Sequence, residues 1–273
     1  MRLAVYQGPG ASGDVPANLA TVRRVTSRAA AAGVGLVVFP ELFTTGYNLG
    51  SRLRELAEPL GGPSLDTIGA ASADAGLAIL TGFCERDGER LFNSAVLVGP
   101  DGSLQAVHRK CHLYGAMEGE LFTPGDALAT VELDRLRIAI LICYDVEFPE
   151  AVRAPALAGA ELVAVPTTLM APYDVVARTL VPARAAENQV FVAYANRTGS
   201  ESDLAYIGQS CIVGPDGADL ARAGRDQESL LVADLDPAAV TQARSAQCYL
   251  GDRRPELYAP LTRTPNFRPG ATA

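Results

Sequence analysis

The sequence predicts the α/β fold class, in the form of a four-layer α-β-β-α sandwich. Short apolar runs typical of buried strands alternate with amphipathic helical stretches along the chain. The turn sequence Gly-Pro-Asp-Gly occurs at 99–102 and again at 214–217, and each copy follows an apolar strand pattern. We therefore expect two related halves, each an αβ layer, whose sheets pack face to face with the helices outside.

The first half should run strand, helix, strand, two helices and a strand pair. Its first helix is alanine-rich, carries Leu19, Val22 and Val25 at helical spacing and ends at Gly33. The strand that follows ends next to Glu41. The predicted bounds are 2–7, 16–32, 36–39, 52–57, 65–75, 77–82 and 94–99.

Residues 136–150 contain an apolar run that stops at a thiol. The run is typical of a strand covered on both faces, and Pro149 suits a helix start. Cys143 would then lie at the edge of the sheet, where a helix N-terminus and any nearby cation favour the thiolate. A buried structural cysteine is the alternative. The second half is predicted at 139–142, 150–159, 162–165, 175–188 with a kink at Pro182, 190–195 and a hairpin about Pro215.

Composition narrows the class of protein. None of the apolar stretches in the 273 residues is long enough to span a bilayer, and the start lacks a signal-peptide pattern. Five cysteines without paired spacing favour reduced thiols over a disulfide framework or a zinc cage. The net charge of −8 argues against nucleic-acid binding and is compatible with cationic small molecules. We expect a cytoplasmic protein with no nucleic-acid or membrane partner.

The chain lacks a linker-like stretch, so residues 1–273 are predicted to form a single domain. Proline and arginine are frequent from about residue 246. This composition indicates an extended C-terminal arm, either frayed or lying on a partner subunit.

A thiol nucleophile usually needs a base, and the chain has only two histidines, His108 and His112. A papain-like pair of either histidine with Cys143 is one possibility. A metal site formed by both histidines and Cys111 is another, although a helix there lacks a third ligand and Lys110 would repel the ion.

A carboxylate is the other candidate base. Glu41 ends a buried strand, where desolvation raises the pKa of a glutamate and suits it to general-base catalysis near neutral pH. Lys110 supplies a cation that could stabilise both a thiolate and a developing oxyanion. A surface position for Glu41 and a solvated one for Lys110 are the alternatives.

Three sequence blocks, in order, resemble the carbon–nitrogen hydrolases of the nitrilase superfamily, and the resemblance covers nearly the whole chain. The blocks are Phe39-Pro40-Glu41, Arg109-Lys110-Cys111-His112-Leu113, and Cys143-Tyr144-Asp145 with Phe148-Pro149-Glu150. The resemblance implies a sandwich of the nitrilase type and a second glutamate eight residues beyond the lysine. Glu118 stands there, with Glu120 as the near competitor.

The family roles imply Glu41 as base and Cys143 as nucleophile. Lys110 and the Tyr144 backbone amide would donate to the oxyanion, and Glu118 would position substrate or water. Attack on a carbonyl then gives a tetrahedral oxyanion, Glu41 protonates the leaving amine, and water hydrolyses the resulting thioester. The resemblance implies that neither a metal nor another cofactor is required.

The resemblance also bears on the substrate. Nitrilases typically carry tryptophan and glutamate after the nucleophile, whereas this chain has Tyr144-Asp145 and no tryptophan. An amide is therefore favoured over a nitrile. Stretches that include Tyr47, Tyr173 and Asp174 resemble amidases of short ω-amino carboxamides, the 5-aminovaleramidase type. These three residues, with Tyr144, are expected in substrate binding.

A charge difference predicts the far end of the substrate. Relatives that hydrolyse N-carbamoyl amino acids have arginines three and four residues after the nucleophile, which bind the carboxylate of the substrate. This chain has Val146 and Glu147 there. We expect a cationic amino or guanidino tail, as in 5-aminovaleramide or 4-guanidinobutyramide, with Glu147 as its partner and Asp174 in reserve. An ion pair between Glu147 and a nearby arginine is the alternative.

Other functions stay open at this stage. The chain could be a nitrilase, an N-carbamoyl amine hydrolase of the same superfamily, or a catalytically silent binding module. A glutamine-fed amidotransferase subunit is disfavoured because a synthetase domain is lacking. The family commonly dimerises through helices after the nucleophile, here 150–159 and 175–188, so the expected partners are a small-molecule amide and a second copy in a homodimer or larger homo-oligomer.

Overall fold

The computed structural model describes residues 1–262 and is built on two six-stranded sheets. In spatial order the first sheet contains β14 (Ser229–Asp234), β1 (Arg2–Gln7), β2 (Leu36–Val38), β3 (Ala78–Asp87), β4 (Arg90–Val98) and β5 (Leu104–Arg109). The second contains β6 (Ala129–Leu133), β7 (Leu136–Ile140), β8 (Leu162–Pro166), β9 (Phe191–Ala195), β12 (Cys211–Val213) and β13 (Asp219–Arg222). The short strands β10 (Ser200–Glu201) and β11 (Leu204–Ala205) form a separate hairpin.

The two sheets repeat one topology. Strands β1, β2 and β3 are parallel, β4 and β5 follow antiparallel, and β14 lies antiparallel on the other side of β1. Strands β7, β8 and β9 are likewise parallel, with β12 and β13 antiparallel on one side and β6 on the other. The two Gly-Pro-Asp-Gly turns connect β4 to β5 and β12 to β13. The prediction of two related halves is confirmed.

The described residues contain seven α-helices. They are α1 (Val15–Ala31), α2 (Leu53–Leu56), α3 (Pro63–Ala75), α4 (Gly115–Leu121), α5 (Pro149–Leu157), α6 (Val181–Asn188) and α7 (Pro237–Ala246). Helices α1 and α3 lie on the first sheet, where Val25 and Ile68 pack in one apolar cluster with Val37 of β2. Helices α5 and α6 lie on the second sheet, where Val152 packs in one cluster with Ala139 of β7.

Alternation along the strands creates the layers. Leu136, Ile138 and Ile140 of β7 belong to the core between the sheets, whereas Ala139 and Leu141 pack with the helices. Because successive strand residues point to opposite faces, both faces of β7 are covered, as its continuous apolar run predicts. The four-layer α-β-β-α sandwich is confirmed.

Two predicted elements differ from the structure for local reasons. The stretch 175–188 is not one kinked helix, because a π-helical turn at Val176–Leu180 precedes α6. Pro182 lies in the first turn of α6, where its missing N–H leaves no helical hydrogen bond unmade. The strand predicted at 77–82 continues to Asp87, since Gly82 lies within β3 instead of ending it.

The segment after α7 contains two short 3₁₀ turns, Pro255–Leu257 and Ala259–Thr262. The rest of the predicted arm, 263–273, lies outside the described residues, and the single-domain assignment stays a prediction. None of the helices within residues 1–262 is long and apolar enough to cross a membrane.

Candidate active site

The ends of the parallel strands meet at one edge of the two sheets and carry polar side chains. Glu41 follows β2, Cys143 follows β7, and Thr168 follows β8. Cys143 has a φ of 45°, in the left-handed region that non-glycine residues rarely adopt. The chain turns sharply here from β7 into a short 3₁₀ turn, Cys143–Glu147. Cys143 lines a cavity of about 250 Å³.

Glu41 is completely buried and accepts hydrogen bonds from three donors. The Lys110 Nζ and the Asn93 Nδ2 each lie 2.7 Å from Glu41 Oε1, and the Thr168 hydroxyl donates to Oε2. These donors offset the free-energy cost of burying the carboxylate. Gly82 of β3 permits this placement, since a Cβ there would lie 2.6 Å from the Glu41 Cα.

Lys110 is buried between two carboxylates, because its Nζ lies 2.7 Å from Glu118 Oε1 as well as from Glu41 Oε1. Burial alone would lower the pKa of Lys110, but the two carboxylates raise it above its usual value. The Tyr47 hydroxyl donates to Glu118 Oε1 at 2.6 Å and the Tyr114 backbone N–H donates to Oε2 at 2.8 Å. Burial raises the pKa of Glu118.

Glu118 and Glu120 are separated by their positions on α4. Glu118 is buried against Lys110, whereas Glu120 is exposed to solvent. The structure therefore brings Glu118 to the cluster and leaves its competitor outside.

The environment of Cys143 in the folded protein works against the expected thiolate. Burial raises the pKa of the Cys143 thiol, and the charge of Glu41 raises it further, whereas Lys110 lowers it by less. A raised pKa favours the protonated thiol, so the attack needs a base that takes this proton.

Asp145 fixes the turn that carries Cys143. Its carboxylate accepts hydrogen bonds from Ile142 N at 3.0 Å, His108 Nε2 at 3.0 Å, His112 N at 2.9 Å and His112 Nδ1 at 2.8 Å. Burial alone would raise the pKa of Asp145, but the bonds from the two histidines hold it well below its ordinary value. Asp145 thereby links His108 and His112, on either side of Lys110, to the turn that carries Cys143.

This network contradicts two alternatives that the histidines had left open. A papain-like pair is wrong, because His108 and His112 both face Asp145. The alternative of a metal site made by both histidines with Cys111 is not formed either. The group that the structure brings together, within 4.8 Å, is His108, Cys111 and Asp145. The Asp145 oxygens already accept four hydrogen bonds, so this group is explained as a structural network.

The cavity beside Cys143 contains most of the predicted substrate-binding residues. Its lining comprises Tyr47, Tyr114, Cys143, Tyr144, Glu147, Thr168, Leu169, Met170 and Tyr173. The rings of Tyr114 and Tyr144 meet edge to face with centroids 5.3 Å apart, and Tyr114 makes a similar contact with Tyr173 at 6.3 Å. The cavity is therefore walled by aromatic side chains.

Glu147 lies in this lining without an ion-pair partner among residues 1–262. The nearest candidate, Arg184, pairs with Glu187 at 3.0 Å and donates to the backbone carbonyls of Val146 and Glu147 at 3.0 and 2.7 Å. The predicted alternative, an arginine pair for Glu147, is thus not formed. Burial raises the pKa of Glu147, although the charges of Lys110 and Arg184 act in the opposite direction.

Asp174 does not lie in the cavity lining, and its reserve role is corrected. Its carboxylate pairs with Arg225 and accepts a hydrogen bond from Gln209 Nε2 at 2.6 Å. These contacts leave Asp174 already neutralised.

Three residues that hold the candidate catalytic groups were not predicted from the sequence: Asn93, Thr168 and Asp145. Thr168 follows a buried strand, so the strand-end argument used for Cys143 could have found it. Asn93 is a polar residue within the apolar pattern of β4, which is also a detectable signal. The partners of Asp145 could not be predicted, because they depend on how two loops approach each other.

Comparison with known proteins agrees with this geometry. The family model for carbon–nitrogen hydrolase matches residues 2–245. An (R)-stereoselective amidase of Pseudomonas sp. is 40% identical over 270 residues, covering 98% of this chain and 97% of the relative. An N-carbamoylputrescine amidase of Solanum tuberosum is 31% identical, covering 91% and 90%.

A solved amidase from Nesterenkonia sp. superposes with a TM-score of 0.87 at 34% identity, over 96% of each chain. A glutamate-to-glutamine variant of that amidase carries the acetamide moiety of fluoroacetamide covalently on its active-site cysteine, and a cysteine-to-alanine variant binds butyramide. The chain described here belongs to the carbon–nitrogen hydrolase family and is an amidase of the nitrilase superfamily.

Proposed function

We propose that the enzyme hydrolyses short aliphatic carboxamides with a cationic amino or guanidino tail, releasing the carboxylate and ammonia through a cysteine thioester. The observation that supports a cationic tail on the substrate is the state of the Glu147 carboxylate. It is half-buried, lines the cavity of Cys143 and has no ion-pair partner among residues 1–262. A carboxylate in that state binds a cation more favourably than a neutral methyl group.

The chemistry begins with attack of the Cys143 sulfur on the amide carbon as Glu41 takes the thiol proton. The carbonyl oxygen becomes an oxyanion that accepts from Lys110 and from the Tyr144 backbone N–H. Glu41 then gives its proton to the leaving nitrogen, and ammonia departs from the thioester. Water, deprotonated by Glu41 and positioned by Glu118, releases the carboxylic acid and restores the thiol.

The geometry of Lys110 supports its part in this sequence. An ammonium has three N–H donors, and two of them are directed at Glu41 and Glu118. The third is available to an oxyanion beside Cys143. The charge of Lys110 also acts on the pKa of the Cys143 thiol, which requires that the two groups lie close together.

Two further observations support a cationic tail. Tyr114, Tyr144 and Tyr173 surround the approach to Glu147, and aromatic faces attract ammonium and guanidinium groups. The Solanum relative is named for N-carbamoylputrescine, a substrate that also ends in an amine. The alternatives of the same superfamily, a nitrilase or an N-carbamoyl amine hydrolase, are outcomes that a substrate panel distinguishes.

The test compares 5-aminovaleramide with hexanamide, in which a methyl group replaces the ammonium. Wild-type enzyme should prefer 5-aminovaleramide in kcat/KM. Glu147→Gln should lower kcat/KM for 5-aminovaleramide about ten- to a hundredfold, because a charge-assisted hydrogen bond contributes about 1.5–3 kcal/mol. It should leave kcat/KM for hexanamide unchanged. Glu120→Gln, which changes an exposed carboxylate outside the cavity, is the matched control. A wild-type preference for hexanamide, or equal losses on both substrates, would contradict the cationic tail.

We also infer a homodimer or larger homo-oligomer. Leu157 at the end of α5 and Leu261 in the segment after α7 are 45% and 66% exposed. Such apolar side chains beside one groove favour burial against a second copy. Light scattering at micromolar concentration should give at least twice the chain mass, and a pure monomer would contradict the inference.

The five free cysteines support the predicted cytoplasmic location.

A further inference from the structure

Another buried ion pair lies outside the group of residues that act on the substrate in the proposed mechanism. Arg197 and Glu201 are buried, and the Arg197 NH2 lies 2.8 Å from Glu201 Oε1. Arg197 is among the largest fully buried side chains of the described residues. A buried pair of this kind is weak evidence for stability, so its other contacts decide what it does.

The Glu201 carboxylate also organises the segment that carries Tyr47. Its Oε2 accepts the backbone N–H groups of Tyr47 and Asn48 and the Tyr206 hydroxyl, each at 2.8 Å. Burial alone would raise the pKa of Glu201, but the charge of Arg197 and these donors hold it below its usual value. Glu201 is therefore an anion that holds two consecutive backbone amides.

The held segment has little structure of its own. Residues 41–49 form turns and bends and lie in neither a helix nor a strand. Gly46, with a φ of 101°, permits the approach, because an added Cβ there would lie 2.9 Å from Glu201 Oε1. The position of the next residue, Tyr47, thus depends on Glu201 more than on a regular element.

Tyr47 connects this anchor to the catalytic cluster. Its ring lines the cavity, and its hydroxyl donates to Glu118 Oε1, the same oxygen that lies 2.7 Å from Lys110 Nζ. A shift of Tyr47 therefore moves both a cavity wall and a hydrogen-bond donor of Glu118.

We propose that Glu201 is a positioning residue for amide hydrolysis, which acts by holding the Tyr47 backbone so that the Tyr47 hydroxyl reaches Glu118. Without the negative charge, the acceptor holds the two amides more weakly and the segment shifts. Glu118 then loses one of the donors that favour its ionised form. The inference rests on the roles that the proposed function gives to Glu118 and Lys110.

A double-mutant cycle tests this coupling. Wild type, Glu201→Gln, Tyr47→Phe and the double variant are assayed with butyramide, a neutral amide, so that the result is independent of the cationic tail. Glu201→Gln should lower kcat about ten- to a hundredfold, the scale of a small misplacement. In the Tyr47→Phe background it should lower kcat by less than about threefold, since coupled residues are not additive.

The pH profile supplies a readout that a merely structural role would not move. Loss of the Tyr47 hydrogen bond raises the pKa of Glu118, so the acid limb of kcat/KM should move to higher pH. The shift should be the same in Glu201→Gln, Tyr47→Phe and the double variant. Asp203→Asn is the control on the same hairpin, because Asp203 accepts only from the Asn48 side chain, and it should leave both readouts unchanged.

Equal losses from Glu201→Gln in both backgrounds would overturn the proposal, as would an unshifted acid limb in a folded Glu201→Gln variant. If Glu201→Gln leaves Arg197 unpaired and the protein unfolds, the pair variant Arg197→Met/Glu201→Gln removes both charges and enters the same cycle. The variant Cys143→Ala distinguishes a failure of the proposed function from a failure of the role proposed for Glu201. Turnover by that variant would refute the proposed function, whereas an additive cycle with an inactive Cys143→Ala refutes only the role of Glu201.

Discussion

Lys110 is the only lysine in the sequence, so its ammonium can be observed alone. Its side chain is completely buried and its Nζ lies 2.7 Å from both Glu41 and Glu118. Because the two carboxylates outweigh burial, the ammonium should keep its proton through pH 10.5, where an ordinary lysine is half titrated. Protein labelled with ¹³C-lysine should give one Cε resonance that stays at its protonated position through this pH.

The decisive perturbation is Glu118→Gln. Removing one partner of a buried charge costs about 3–5 kcal/mol. Since about 1.4 kcal/mol corresponds to a factor of ten, the Lys110 Nζ should bind its proton at least about a hundredfold more weakly in the variant. The Cε resonance should then titrate at lower pH than in wild type. Glu120→Gln, on the exposed side of the same helix, should leave the titration unchanged.

Two results would refute this reasoning. One is a wild-type Lys110 resonance that titrates at or below pH 10.5, since the carboxylates would then not outweigh burial. The other is an identical titration in Glu118→Gln and wild type, since Glu118 would then not share the charge of Lys110.

Other outcomes follow from the same site. Cys143→Ala should abolish ammonia release and Glu41→Gln should nearly abolish it. Both variants should keep the circular dichroism spectrum of the wild type. Measurable hydrolysis by Cys143→Ala would contradict the assignment of the nucleophile. Lys110→Ala should lower kcat about a hundredfold or more, the scale for losing an oxyanion donor, and a loss below about tenfold would count against that role. Metal chelators should leave activity unchanged. Asp145→Asn should lower the free energy of unfolding by about 3 kcal/mol at pH 7. Folding lowers the pKa of Asp145 from 3.8. The difference in free energy of unfolding between wild type and Asp145→Asn should therefore have its full size above pH 3.8 and become smaller as the pH falls below it. Urea unfolding of both proteins at several pH values measures it, and a difference that grows on acidification would contradict the sign.

The layers of the fold could be predicted from sequence because each central strand carries a continuous or alternating apolar pattern. The strands and α-helices that were not predicted from the sequence, β5, α4, β6, β10, β11, β14 and α7, have weaker signals. Strand β6, for example, alternates apolar and polar residues over only five positions, and β14 carries a short apolar run that is only partly buried. Edge strands of this kind are specified by the partner strand more than by their own pattern.

The candidate catalytic residues could be predicted because each stands at a local feature, a strand end or a short motif. Their partners could not, since Asn93 and Thr168 reach Glu41 only through the packing of separate strands. The balance of effects on the pKa of the Cys143 thiol could not be predicted for the same reason. The sequence indicates a cation and a helix start nearby, but the depth of burial that outweighs them exists only in the folded protein.

A protonated thiol is consistent with catalysis when the charge of the whole site is followed through the proposed attack. The proposed mechanism starts with Glu41 and Glu118 as carboxylates, Lys110 as an ammonium and Cys143 as a neutral thiol. When Glu41 takes the thiol proton, one negative charge leaves its carboxylate and appears on the oxyanion, so the net charge of the buried site does not change. Lys110 lies within hydrogen-bond distance of Glu41 and, in the proposed geometry, of the oxyanion, and it stabilises the charge before and after transfer. A preformed thiolate would instead add a charge to a buried site that is already negative, which burial disfavours. The raised pKa of Cys143 is therefore the expected property of a site that moves one charge during attack instead of storing a second one.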